Sequence, residues 1–108
     1  MSEMIAKLIT VEKLLVSQQG GKALEYKLYN GLQLMTVYFH FGDYNRILQY
    51  FDSQLHSLID NPKVQQTDVK LCIYSILADS LMLNHEFKRA SKVFYTLCKL
   101  YNKCKIKE

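Results

Sequence analysis

The sequence has no tryptophan, one proline and only four glycines among its 108 residues. An all-β sandwich needs a turn signal about every ten residues, and this chain has too few turn residues for that. The three cysteines form an odd set without a Cys-x-x-Cys pair. A disulfide framework in a small secreted protein normally uses an even number. We therefore expect an all-α fold with reduced thiols.

Long hydrophobic runs are also missing. The longest apolar stretch, residues 34–41, is far shorter than the roughly 20 residues that span a bilayer. Near the start of the chain, Glu3 and Glu12 interrupt the apolar stretch that a signal peptide would need. We therefore expect a soluble protein of a reducing compartment, without a membrane partner.

The composition is that of a folded domain with a local excess of positive charge. Hydrophobic residues make up 49% and charged residues 22%, which is too apolar for a disordered chain. The length fits one domain with one modest core. The net charge is +4, and the segment from Lys88 to Lys107 contains seven basic and no acidic residues. A solvated helix face is the more common use of such a run, so we do not expect a nucleic-acid partner.

Apolar residues recur at helical spacing in five segments, separated by short runs rich in Gly, Asn and Asp. The spacing predicts helices over about residues 2–16, 22–41, 44–59, 67–83 and 86–103. We divide the single domain, 1–108, into an N-terminal capping helix and turn (1–21), a first hairpin (22–62), a second hairpin (67–104) and a basic tail (105–108).

The two predicted hairpins share a pattern with an offset of 43 residues. The second reads Tyr74-x-x-Leu77-Ala78-x-x-Leu81, then Phe87-x-x-Ala90-x-x-x-Phe94-x-x-Leu97. The first matches it more loosely, with Leu34-Met35-x-x-Tyr38, then Gly42-Asp43-Tyr44, Ile47 and Phe51. Small residues at Ala78 and Ala90 let two antiparallel helices approach closely. The larger Met35 and Ile47 at the same places predict a wider first hairpin.

This pattern resembles the tetratricopeptide-repeat family, whose units are about 34 residues long. Within that family, Ala78-Asp79-Ser80-Leu81 followed by Glu86-Phe87-Lys88-Arg89-Ala90, with Asn61-Pro62 upstream, is similar to the N-terminal region of the anaphase-promoting complex (cyclosome) subunit 7 family. The likeness is best over residues 42–103. It implies a short solenoid of stacked helical hairpins in which the residues that pack the repeats are Leu34, Tyr38, Tyr44, Phe51, Tyr74, Leu77, Ala78, Leu81, Phe87, Ala90, Phe94 and Leu97.

The same resemblance implies a function without catalysis. It implies a scaffold that forms a homodimer and docks other subunits of a cell-cycle ubiquitin ligase, in the nucleus and cytoplasm. The first helix of each hairpin would line a concave face, which the first helix of the chain either leaves open or partly covers. The candidate partner-binding residues on that face are Leu32, Thr36, Phe39, His40, Ser75, Asp79, Met82 and Leu83.

Two alternatives remain. One is a stand-alone peptide-binding adaptor of the co-chaperone type, which would clamp a terminal carboxylate with basic residues. The other is a small helical protein that binds nucleic acid through the basic C-terminal segment.

No enzymatic motif occurs in the sequence. None of the three histidines has another His or Cys three or four positions later, which is the usual spacing of metal ligands on a helix. We therefore expect no catalytic residues, no cofactor and no metal. Cys98 and Cys104 lie six positions apart, and we expect them to be buried as small apolar residues.

Overall fold

Five helices account for most of the chain, and the computed structural model describes residues 2–16, 21–64 and 67–106. Helix α1 is Ser2–Val16 and α2 is Gly21–His40. Helix α3 has three consecutive segments, Tyr44–Tyr50, Phe51–Leu55 and His56–Ile59. Helix α4 is Thr67–Leu83 and α5 is Phe87–Ile106. These ranges contain no strand, so the predicted all-α fold with about five helices is confirmed.

The boundaries of α2 and α5 differ from the predicted ones, with α5 beginning one residue later than expected, and α3 contains a segment that was not predicted. Helix α2 begins and ends one residue earlier than expected. Helix α5 continues to Ile106, so it includes two of the residues assigned to a basic tail. The middle of α3, Phe51–Leu55, is a π-helix, a local widening of the helix that hydrophobic spacing does not reveal. Of the predicted break at residues 18–21, only Gly21 lies among the described residues, where it begins α2.

The two hairpin turns make the same backbone hydrogen bonds. After α2, the amide of Asp43 donates to the carbonyl of Tyr38 at 3.0 Å. After α4, the amide of Glu86 donates to the carbonyl of Leu81 at 2.9 Å. Two further matched pairs of donor and acceptor are Gly42 to Phe39 with His85 to Met82, and Ile47 to Asp43 with Ala90 to Glu86. The offset of 43 residues therefore relates the backbone of the two hairpins at their turns.

Helix α4 is central to the packing because it contacts α2, α3 and α5. Its contact with α5 is the most extensive between any two helices. Ala78 of α4 and Ala90 of α5 are both fully buried, as the spacing predicted for two small residues where helices approach. The core consists of Leu28, Leu34, Met35, Tyr38, Ile47, Leu48, Phe51, Leu55, Ile59, Val64, Ile73, Leu77, Leu81 and Ala90.

The contact between α2 and α3 is less extensive than that between α4 and α5, in line with the wider first hairpin predicted from Met35 and Ile47. Both of these residues are fully buried, but α2 also carries Gly31 one turn earlier. A Cβ atom added to Gly31 would lie 2.7 Å from Cδ2 of Leu55. A glycine therefore permits close approach at this place, where the equivalent residue of the second hairpin is Tyr74.

Helix α1 packs against α2 at the start of the chain. Its side chains Ile5, Leu8 and Ile9 are partly buried against the core. The Nδ2 of Asn30, a buried residue of α2, donates to the carbonyl of Leu8 at 2.9 Å. None of the described helices is long and apolar enough to cross a membrane.

Candidate interaction surface

An apolar groove runs between α2 and α4. It is lined by Leu32, Gln33 and Thr36 from α2 and by Leu71, Cys72, Ser75 and Ile76 from α4. Its volume is about 460 Å³. The helices supply these residues at intervals of three and four, so each helix turns one continuous edge towards the groove. None of the described lining residues belongs to α1.

A second apolar groove lies on the other side of α4, between α4 and α5. It has a volume of about 440 Å³ and is lined by Leu71, Ser75, Leu97, Cys98, Tyr101 and Asn102. Leu71 and Ser75 line both grooves, so the two form one surface that extends across α2, α4 and α5. Among the described lining residues of both grooves, none carries a charge.

The structure brings together only part of the predicted partner-binding set. Leu32, Thr36 and Ser75 meet in the α2–α4 groove. Asp79 is exposed on the same side of α4 as Ser75, one helical turn further on. The remaining residues lie near the hairpin turns, outside the described lining of the groove, and they are Phe39, His40, Met82 and Leu83.

Phe39 differs most from its predicted role. Its ring is half-buried and lies 5.6 Å from the ring of Tyr44, so it packs across the first hairpin turn. His40 is exposed and its ring contacts that of Phe41. Met82 and Leu83 are exposed at the end of α4. These four residues therefore surround the turns and do not extend the groove.

Sequence reasoning missed the groove residues of α4 on either side of Ser75. Leu71 precedes Ser75 by one helical turn, and Cys72 and Ile76 have the same spacing on the adjacent side. The α5 side was also missed. Cys98 was expected to be buried, but it is exposed, as is Cys72. The side chain of Cys104 lies outside the described part of the chain.

Most residues predicted to pack the repeats are covered. Leu34, Tyr38, Phe51, Leu77, Ala78, Leu81 and Ala90 are buried, and Tyr44, Tyr74 and Leu97 are half-buried. The prediction is wrong for Phe87, which is 55% exposed, and for Phe94, which is 40% exposed. Both lie on α5, whose extensive contact is with α4 alone among the described helices.

A more polar cleft of about 340 Å³ lies between α3, α4 and α5. Tyr74 lines it, with its ring centroid 6.2 Å from that of Phe51. Burial raises the pKa of Tyr74 to about 12, helped by the charge of Asp60 and by a hydrogen bond between the two side chains. A tyrosine with a raised pKa stays protonated at neutral pH, so this hydroxyl is a structural donor and not an activated base.

An ion pair crosses the same cleft. Arg89 of α5 donates to both carboxylate oxygens of Asp52 in the π-helical segment of α3. Both side chains are substantially exposed, so the pair contributes little to stability but fixes the direction of the guanidinium group.

The described residues contain no group of three or more His, Cys, Asp and Glu side chains that is able to hold a metal ion. The described surface features are the two apolar grooves and the basic helix α5. No protein-family model matches this chain, and no curated protein or solved structure matches it either.

Proposed function

We propose that this chain is a non-catalytic protein–protein interaction scaffold of the tetratricopeptide-like type. The observation that carries the proposal is the continuous apolar surface formed by the α2–α4 and α4–α5 grooves. A surface of this kind suits an extended peptide or a helix with apolar side chains at regular intervals. The shared turn geometry of the two hairpins supports a repeat architecture, in which such surfaces form between successive units.

Self-association is the second part of the proposal, and α1 is its candidate surface. Met4, Val11 and Leu14 are exposed and recur at intervals of seven and three, so they lie on one side of α1. The described side chains of α1 include exposed charges of both signs, Glu3, Lys7 and Lys13, so two antiparallel copies can bring opposite charges together. A second copy of this chain is therefore the occupant that we propose for this side of α1.

The resemblance of the second hairpin to a subunit family of the anaphase-promoting complex supports a more specific form of the proposal. In that form, the chain docks other subunits of a cell-cycle ubiquitin ligase, in the nucleus and cytoplasm. The test is quantitative affinity purification from cell extract with the wild-type chain, Ser75→Lys and Ser57→Lys. Ser75 lines both grooves, whereas Ser57 is exposed on α3 and serves as the matched control.

We expect wild type and Ser57→Lys to recover the same ligase subunits, and Ser75→Lys to lose them. Recovery of the same proteins by all three baits would contradict the proposed surface. Recovery of other proteins, lost only with Ser75→Lys, would keep the scaffold and remove the ligase assignment.

Light scattering tests the self-association. The wild-type chain is expected to form a dimer at micromolar concentration and Val11→Glu a monomer. A wild-type monomer under these conditions would favour the stand-alone adaptor. That adaptor would clamp a terminal carboxylate with basic residues, and the described groove linings contain none.

A further inference from the structure

The second helix of the second hairpin, α5, exposes apolar residues at places where the second helix of the first hairpin, α3, buries them. Because the turns match with an offset of 43 residues, Phe94 occupies on α5 the place that Phe51 occupies on α3. Phe51 is 3% exposed and Phe94 is 40% exposed. The π-helical segment adds one residue to α3, so beyond it the counterparts of the buried Leu55 and Ile59 are Leu97, which is half-buried, and Tyr101, which is exposed.

The contrast does not arise from a rotation of α5. Ile47 on α3 and its counterpart Ala90 on α5 are both fully buried, so both helices turn the equivalent side towards their own hairpin. The two hairpins differ in whether a further helix packs on the side of α3 or α5 that faces away from its own hairpin. In the first hairpin this further helix is α4, which packs on both α2 and α3 and brings the Tyr74 ring against Phe51.

Helix α4 packs on the first hairpin, and the α4–α5 groove is the corresponding place on the second hairpin. Its wall on α5 carries Leu97, Cys98 and Tyr101, and Tyr101 is 60% exposed. Because the first hairpin accepts an α-helix in this position, the shape that suits the groove is also an α-helix with an apolar stripe.

The positive charge of α5 indicates which charge a helix bound in the α4–α5 groove would carry. From Phe87 to Lys103 the sequence has five basic residues and no acidic one. Lys88 and Lys99 directly follow Phe87 and Cys98, so each lies about 100° further round the helix than the residue before it. Neither forms an ion pair with another described residue. A second α5 packed against this one would bring like charges together, whereas a helix with an acidic flank would be attracted.

We propose that the α4–α5 groove binds an amphipathic α-helix of a partner protein, with an acidic flank turned towards α5. On the other side of the groove, α4 exposes the carboxylates of Asp68 and Asp79, so the acidic residues of the ligand belong on one flank only. This inference rests on the proposed function, since it specifies the partner of one part of the same surface.

The probe is a designed amphipathic peptide of about four helical turns with a leucine stripe and glutamates on one flank. Its matched control has lysines in place of the glutamates. Binding to the full chain is measured by fluorescence anisotropy, with circular dichroism to show that each variant folds. We expect the glutamate peptide to bind more tightly, and its affinity to fall as salt concentration rises.

Variants of the full chain make the test specific. Lys88→Glu combined with Lys99→Glu is expected to weaken the glutamate peptide by roughly tenfold and to strengthen the lysine peptide. Cys98→Lys should block both peptides, and Ser57→Lys, on α3 and outside both grooves, should leave both unchanged. These substitutions are on exposed positions, so they are compatible with folding.

Equal binding of the two peptides, or binding unaffected by Cys98→Lys, would overturn the inference. So would a homodimer of the chain that Cys98→Lys dissociates, because a second copy would then fill the groove. If the peptides fail in this way but Ser75→Lys still loses the cellular partners, the scaffold proposal stands and only the identity of the helix is wrong.

Discussion

Gly42 and His85 hold the same left-handed backbone position in the two hairpin turns, with φ angles of 73° and 62°. Glycine adopts this conformation freely, whereas a residue with a Cβ atom is strained there. The chain therefore meets one geometric requirement with two different residues, and this leads to a matched pair of predictions.

His85→Gly should stabilise the protein by roughly 0.5–1 kcal/mol because it removes the strain at that turn. Gly42→Ala should destabilise it by about 1 kcal/mol, since no atom lies within 4 Å of a Cβ atom there and the cost is that of the backbone alone. Urea denaturation measures both. The same sign of change for the two variants would contradict the equivalence of the turns.

Ala90→Leu should overfill the contact between α4 and α5 and cost about 1–3 kcal/mol, because Ala90 is fully buried. Ser91→Leu adds the same side chain at an exposed position beside it and should change stability little. Thermal melting of the two variants gives the comparison. An unchanged melting temperature for Ala90→Leu would show that the helices do not meet at Ala90.

Gly31→Leu should destabilise the first hairpin by roughly 1–3 kcal/mol, since even a Cβ atom there meets Leu55 at 2.7 Å. Leucine is a much better helix former than glycine, so propensity alone predicts the opposite sign. Chemical denaturation distinguishes the two effects. A gain in stability would mean that α2 and α3 are further apart at this place.

Tyr74 gives a prediction for alkaline pH. Its pKa is raised to about 12 in the folded protein, mainly by burial, whereas the ordinary value is 10.0. The protonated hydroxyl is thus favoured by folding. Its contribution to stability is complete below pH 10 and is lost as the pH rises from about 10 to 12.

The check is the titration of tyrosinate absorbance in the wild type and in Tyr74→Phe. The variant should lack the component that titrates last, and its stability should fall less over that pH range. If Tyr74→Phe leaves the titration curve unchanged in shape, another tyrosine is the buried one.

The sequence predicts the helical elements well because hydrophobic spacing and the Gly, Asn and Asp breaks act locally. Ala78 and Ala90 were identifiable as buried because small residues at matched places in two helices indicate close approach. The close approach of α2 and α3 at Gly31 could not be identified from the sequence, since a glycine inside a helix has no local signature of what packs against it. The π-helical segment at Phe51–Leu55 was missed for a similar reason.

The surface was harder to predict than the fold. Leu32, Thr36 and Ser75 were found because they lie on the exposed edges of the first helix of each hairpin. Phe94 was expected to be covered because its spacing on α5 is that of a buried stripe, and Cys98 because a free cysteine often behaves as a small apolar residue. Periodicity shows that a helix has an apolar side, but not whether another helix covers it.

The two exposed thiols provide the most direct test of the account, because Cys72 lies in the α2–α4 groove and Cys98 in the α4–α5 groove. The measurement is the alkylation rate of each thiol in Cys104→Ser, compared between the free chain and the chain isolated with its cellular partners. We predict several-fold protection of both thiols in the complex. Alkylation of both at the rate of the free chain would contradict the claim that this surface binds partner proteins.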